Sequence, residues 1–210
     1  MSNYTDFIID FPKRCHDLLE SFYRQAAKSK LEVTFMLAIA ASGFLFAFER
    51  GQENHPLEDS WENQEAKKKL KKLLDENIEK SPLWEYLQEW QFKKLETTGD
   101  IPSGWPDSLG IMDKVKNLKF YLTILRNALA HGNIKTSSEY ECINGKRIGI
   151  IKDIVFISEI RDDKNKNHAG WKAISLTPIQ FYNFLVEWFK LLSESKISQE
   201  MIFKELTDAA

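Results

Sequence analysis

Apolar residues recur at helical spacing along the first half of the chain. One such run covers Phe7 to Ala27, with Pro12 near enough to its start to be tolerated in a helix. A second run covers Leu31 to Arg50 and ends at Gly51, which suits a helix C-cap. High helix propensity predicts two further helices, over Glu62 to Asn77 and over Leu83 to Leu95.

A glycine- and proline-rich loop over Thr97 to Gly110 precedes a regular apolar stripe. The members of this stripe step by four and three residues, which places them on one face of a helix. They are Ile111, Val115, Leu118, Leu122, Leu125 and Leu129. The pattern predicts a helix, here named the motif helix, that begins near Ile111 and ends at Gly132.

After Gly132 the spacing changes to the alternation that is typical of strands. Ser138 to Ile143 and Arg147 to Ile160 flank Asn144-Gly145, a pair that accepts the left-handed conformation of a tight hairpin turn. We therefore expect a β-hairpin here. Trp171 to Leu176 is expected to add a third strand.

The C-terminal part of the chain returns to a helical pattern. Thr177-Pro178 suits the N-cap and first turn of a final helix, and a short trailing helix is expected over Ser198 to Leu206. The final helix carries an aromatic stripe: Phe181, Phe184, Leu185, Trp188, Phe189 and Leu192. The sequence predicts one mainly α domain over residues 1–210, with a β-rich segment inserted at about residues 138–176.

Composition restricts the classes of function. With 29 Lys and Arg against 31 Asp and Glu, the net charge of −2 argues against a surface that coats nucleic acid, but it is compatible with a small RNA site. Cys15 and Cys142 are too few for a disulfide framework or a zinc site, and Met1 to Asp10 does not resemble a secretory signal. We expect a cytoplasmic protein without metal or cofactor.

Val33 to Phe48 is uncharged but shorter than the ~20 residues that span a bilayer, so no membrane association is expected.

The strongest candidate for chemistry is Arg126-Asn127-Ala128-Leu129-Ala130-His131, at the end of the motif helix. It brings a fixed cation, an amide and a titratable imidazole to one helix end. Asn127 and His131 are one turn apart and share a side, whereas Arg126 and His131 differ by roughly 140° around the axis. The long guanidinium stem can still reach back toward the imidazole.

These groups suit RNA cleavage by the RNA's own 2′-hydroxyl. An imidazole, with an unperturbed pKa of about 6.5, can take or give a proton at neutral pH. Arginine supplies a permanent charge and paired donors that match phosphate oxygens. One histidine does not easily serve as acid and base at once, so a two-fold dimer through the motif helix would supply two of each. The alternative is structural, because capping and dipole preferences also favour a cation and a His before a helix-ending Gly.

Arg126-Asn127-x3-His131 resembles the R-polar-x(3–5)-H signature of the HEPN superfamily. Its surroundings are similar too, with an apolar second helix ending in Glu49-Arg50 and a final helix opened by Leu176-Thr177-Pro178. The resemblance implies an antiparallel helical bundle that dimerises through the motif helices. It also implies a composite RNase site in which Arg126 and His131 of both copies are catalytic and Asn127 orients them.

HEPN proteins are often metal-independent ribonucleases of bacterial antiviral or toxin–antitoxin systems. The resemblance therefore implies an endoribonuclease that leaves 2′,3′-cyclic phosphate ends, with RNA, a second copy and an antitoxin or other regulatory protein as partners. The alternative is a non-catalytic HEPN-like module that binds RNA, a nucleotide or a protein. HEPN toxins controlled by a nucleotidyltransferase antitoxin tend to carry a Tyr two residues after the His. Asn133 stands there, so control by that modification is not expected.

Other charged and aromatic residues have plainer explanations. Lys67 to Lys72 is expected to be a solvated helix face, because acidic residues follow within two turns. Glu49-Arg50 either buttresses the site or ends a buried helix. Three histidines lack metal-ligand spacing and are expected on the surface or in loops: His16, His55 and His168. Four tryptophans are expected in the core rather than as platforms for bases: Trp84, Trp90, Trp171 and Trp188.

Overall fold

Two long N-terminal helices, α1 (Phe7–Lys28) and α2 (Glu32–Arg50), form an αα-hairpin in the computed structural model of the chain. The structure describes residues 7–50, 61–97, 100–101, 110–111, 116–143, 146–161 and 168–193. The predicted trailing helix over Ser198 to Leu206 lies outside these residues, as do the Gly51 cap and the Asn144-Gly145 turn. Among the described helices, none is long and apolar enough to cross a bilayer.

The C-terminal helix α6 (Pro178–Ser193) packs against both α1 and α2. Gly43 lies where the three helices meet, since a Cβ added there would come within 2.7 Å of Cys15 Sγ and of Phe189 Cζ. The predicted Thr177 cap is confirmed: Thr177 Oγ1 accepts the Gln180 backbone N–H at 3.3 Å, and Gln180 Oε1 accepts the Thr177 N–H at 2.8 Å. The whole predicted aromatic stripe of α6 is buried.

The predicted helix over Leu83 to Leu95 is wrong in its second half. The helix α3 (Trp61–Asp75) is followed by a short 3-10 turn, Ile78–Lys80, and by the one-turn helix α4 (Trp84–Leu87). Gln91–Leu95 is a strand, β1, because its backbone pairs with a later strand of the chain. That long-range pairing outweighs the helix propensity of the segment.

The motif helix is α5 (Leu118–His131), and it begins later than the sequence predicts. Asn117 is its N-cap, with Oδ1 accepting the Phe120 N–H at 3.1 Å, and Asn117 is also held in a β-bridge to Asn77. Ile111, the predicted start, belongs instead to the short strand β2 (Gly110–Ile111). The helix ends at Gly132, as the sequence predicts.

A five-stranded antiparallel sheet has the order β2-β1-β5-β4-β3. The predicted hairpin and third strand are confirmed and are longer than expected, as β3 (Ile134–Ile143), β4 (Lys146–Arg161) and β5 (His168–Leu176). The sheet is nevertheless more than a small inserted hairpin, because β1 and β2 precede α5 in the chain. The protein is therefore helical with a substantial sheet, and β structure is not confined to residues 138–176.

The two faces of the sheet have different neighbours. Ile154 and Phe156 of β4 belong to the main core with the helices, whereas Val155 and Ile157 form a smaller cluster with Ala173. This alternation follows from the two-residue period of a strand. Helix α5 packs on β4, which brings the end of the motif helix close to the final residues of that strand.

Candidate active site

The C-terminus of α5 turns sharply into the sheet. Gly132 has φ 67° and ψ 19°, and its N–H and that of Asn133 both bond to the Ala128 carbonyl. The Asn133 carbonyl then accepts the Ile157 N–H at 3.0 Å, and β3 pairs with β4 from Ile134 opposite Phe156. The last residues of β4 therefore extend beyond the start of β3, beside the end of the motif helix.

Arg126 is held by two hydrogen bonds. Its Nε donates to Glu49 Oε1 at 2.6 Å, and its Nη1 donates to Asn127 Oδ1 at 2.9 Å. The Arg126 side chain is 33% exposed, so the guanidinium remains accessible from outside. Of the two explanations for Glu49-Arg50, the contact favours the buttressing one for Glu49.

Asn127 connects the motif helix to the sheet. Its Nδ2 donates to Ser158 Oγ at 3.0 Å, and Ser158 is 1% exposed on β4. The same amide accepts from Arg126 through Oδ1, so both ends of the Asn127 side chain are used. An Asn can make both bonds at once, because its amide has a donor end and an acceptor end.

All three motif side chains, Arg126, Asn127 and His131, line one cavity of about 590 Å³. Arg126 and His131 line the same cavity although they differ in direction around the helix axis, because the cavity lies at the helix end. His131 is exposed there as the last residue of α5. The remaining lining residues come from the turn and the sheet: Asn133, Ser158, Glu159, Arg161 and Trp171.

Glu159 is the centre of a charged cluster on the sheet side of the cavity. Its Oε2 accepts from Arg161 Nε at 2.8 Å, and its Oε1 lies 2.9 Å from His168 Nδ1. The bond from Arg161 is the main cause of a lowered Glu159 pKa; burial opposes it, and the His168 contact adds to the lowering. Glu159 is therefore a carboxylate at neutral pH, fixed by two partners.

Sequence reasoning missed this sheet side. The prediction that His168 lies on the surface or in a loop is wrong. His168 is half-buried in β5, with its ring centroid 4.9 Å from that of Trp171. Trp171 is half-buried and lines the cavity, whereas Trp90 and Trp188 are core residues as predicted. The one available signal was the two-residue spacing of Glu159 and Arg161, at the end of the predicted strand Arg147 to Ile160, because residues two apart in extended chain lie on one side of it.

Among the described residues, neither His16 nor the Lys67 to Lys72 run lines the cavity. His16 lies on α1 beside Asp17 and Glu20. Within the Lys67 to Lys72 run, Leu70 is buried in the core. His55 lies outside the described residues. Within the described ranges, no group of three or more His, Cys, Asp or Glu is arranged to hold a metal ion.

A helical core whose motif helix ends in Arg-Asn-x3-His is the arrangement of a HEPN domain. The family model described as HEPN pEK499 p136 matches residues 1–199, and the chain belongs to this HEPN family. The resemblance drawn from the motif is thereby confirmed. Searches among curated proteins and among solved structures found no significant match.

Proposed function

We propose that the protein is a metal-independent endoribonuclease of HEPN type that acts in bacterial defence or toxin–antitoxin growth arrest. One observation carries the proposal: Arg126, Asn127 and His131 line a single cavity, and Arg126 is held there by Glu49 and Asn127. Family membership supports the same activity. An antitoxin or another regulatory protein would restrain it.

Arg126 binds the scissile phosphate. Two of its guanidinium N–H groups bond to Glu49 and Asn127, and the described residues offer no acceptor to the other three. Those three donors can meet phosphate oxygens in the paired geometry that guanidinium groups favour. The same charge stabilises the phosphorane as negative charge accumulates during attack. Because Glu49 and Asn127 already hold the guanidinium, it does not have to reorient during the reaction.

His131 transfers the proton. The RNA 2′-hydroxyl loses its proton as its oxygen attacks the adjacent phosphorus, and the bond from phosphorus to the 5′-oxygen breaks. The leaving oxygen takes up a proton, and the products are a 2′,3′-cyclic phosphate and a 5′-hydroxyl. An exposed imidazole at a helix end can serve at either oxygen. A homodimer that joins two motif helices would supply a second imidazole for the other transfer.

Cleavage of total RNA by purified protein in EDTA tests the proposal. We expect cleavage with 2′,3′-cyclic phosphate ends, abolished in both His131→Ala and Arg126→Ala. The matched controls are His16→Ala and Arg24→Ala, which change the same residue types on α1 and should cleave as the wild type does. If the wild-type dimer is folded and inert on every RNA offered, the protein is instead a non-catalytic module that binds RNA, a nucleotide or a protein.

A further inference from the structure

Two arginines line the cavity, and both are held in the same way. A carboxylate accepts from Nε of each: Glu49 from Arg126 at 2.6 Å, and Glu159 from Arg161 at 2.8 Å. An ion pair through Nε leaves the Nη end of a guanidinium for another acceptor. The HEPN motif accounts for Arg126 but not for Arg161, which comes from β4.

Arg161 is well placed to bind an anion. Its side chain is 65% exposed, and Glu159 is the acceptor that the described residues offer it. Glu159 is fixed in turn by His168 on β5. A tethered guanidinium loses less conformational freedom on binding than an untethered one. The ion pair with Glu159 therefore lowers the entropy cost when Arg161 binds a ligand.

Two guanidiniums that line one cavity favour an occupant with anionic acceptors, because each keeps N–H donors that the described residues leave unused. The two carboxylates offset the two guanidiniums in net charge, so recognition depends on the directed Nη donors rather than on a strong positive field. A ligand with two neighbouring anionic groups would engage both arginines at once. Consecutive phosphodiesters of a nucleic-acid strand have that form.

We propose that the cavity binds two neighbouring phosphates of one RNA strand, with Arg126 on the scissile phosphate and Arg161 on an adjacent one. This inference rests on the proposed function for the identity of the ligand. It adds Arg161 as a binding residue and Glu159 as the residue that positions it. Each protomer then binds two consecutive phosphates of a single-stranded RNA rather than one isolated phosphodiester.

The test uses binding to a fluorescein-labelled single-stranded RNA decamer of mixed sequence with 2′-O-methyl sugars, which lacks the attacking hydroxyl and cannot be cleaved by this route. Fluorescence anisotropy should show an affinity about tenfold lower for Arg161→Ala, as expected for loss of a charge-assisted hydrogen bond. The slope of log affinity against log salt should also fall by about 0.7. Arg24→Ala, an exposed arginine on α1, should change neither.

Removing Arg161 also leaves the Glu159 carboxylate without that partner, and its charge alone could repel RNA. The double variant Glu159→Gln/Arg161→Gln removes both charges and keeps the net charge of the wild type. It should bind as weakly as Arg161→Ala. Recovery of wild-type affinity in the double variant would overturn the proposal, because repulsion by Glu159 would then explain the loss.

A neutral methylphosphonate, scanned along the decamer one position at a time, locates the contact. One position should abolish the effect of Arg161→Ala, and a different, nearby position should abolish the effect of Arg126→Ala. If Arg161→Ala binds the decamer as the wild type does, or if the wild type does not bind it, the inference is wrong.

Cleavage of unmodified RNA, measured in parallel, separates this inference from the nuclease proposal. If RNA is cleaved without metal but Arg161→Ala does not weaken binding, the nuclease proposal stands and only the proposed contact of Arg161 with a second phosphate is wrong. If binding depends on Arg161 but RNA is not cleaved, the proposed contact with a second phosphate is supported and the nuclease proposal is wrong.

Discussion

Asn127 on α5 donates a hydrogen bond from Nδ2 to Ser158 Oγ on β4 over 3.0 Å. This bond joins the HEPN motif to the sheet, and the other end of the same amide holds Arg126. The sheet is therefore part of the structure that orients the guanidinium. It also contributes Glu159 and Arg161 to the cavity in which the motif lies.

Replacing Asn127 by Ala should lower kcat for RNA cleavage on the order of tenfold to a hundredfold, with a smaller change in KM. The reason is that Arg126 loses one of its two tethers, and small errors in placement are costly in catalysis. Ser158→Ala removes only the distant end of the network. It should cost about 1 kcal/mol of unfolding free energy with a smaller loss of kcat. An Asn127→Ala enzyme with wild-type kcat would contradict this orienting role.

Glu49→Gln should lower kcat/KM while changing stability little. The amide keeps an acceptor for Arg126 but loses the charge that tethers the guanidinium, and exposed ion pairs contribute about 0–1 kcal/mol to stability. Both side chains are partly exposed, at 33% for Arg126 and 42% for Glu49. Urea unfolding and steady-state cleavage measure the two effects. The control is Glu139→Gln, which breaks an exposed pair with Lys152 on the hairpin and should leave activity unchanged.

Acid should remove a stabilising contribution from Glu159. Because its pKa is lowered in the folded protein, the charged form is favoured there over the unfolded chain. The contribution is complete above the unfolded-state pKa, near 4.5, and is lost as pH falls through the lower folded pKa. The gap in urea midpoint between wild type and Glu159→Gln should be constant near neutral pH and shrink below about pH 4.5. A gap that grew in acid would refute the assignment.

Gly170→Ala should destabilise the protein strongly. Gly170 has φ 149°, and an added Cβ would lie 2.2 Å from the Leu95 carbonyl oxygen of the neighbouring strand. Strain of this kind costs about 1–3 kcal/mol before the steric clash is counted. Gly149→Ala is the matched control, because its added Cβ would come no closer than 3.7 Å to the Tyr140 ring. Equal urea midpoints for the two variants would show that the backbone at Gly170 can relax.

One thiol per folded chain should react quickly with a disulfide reagent at pH 8. Cys142 is exposed, whereas Cys15 is buried between helices, where burial raises its pKa to about 12. Cys15 should react only after denaturation. Fast labelling of both thiols without denaturant would mean that α1 does not stay packed on α2 and α6.

The sequence alone determined the features that depend on local order along the chain. The part of the apolar stripe from Leu118 to Leu129, the end of α5 at Gly132 and the Thr177 cap of α6 all follow from spacing within one or two turns. The hairpin after α5 follows from alternation around Asn144-Gly145. The HEPN motif is local too, because its three polar residues lie within six positions of one helix.

Only the tertiary structure decided the features that depend on distant partners. Gln91–Leu95 is a strand because β5, about eighty residues away, pairs with it. Glu49 meets Arg126 across a sequence separation of 77 residues. Glu159 and Arg161 join the motif because β4 extends beyond the start of β3, beside the end of α5. Pattern and propensity describe neighbours along the chain, whereas the packing of α5 on the sheet selects the side chains that share the cavity.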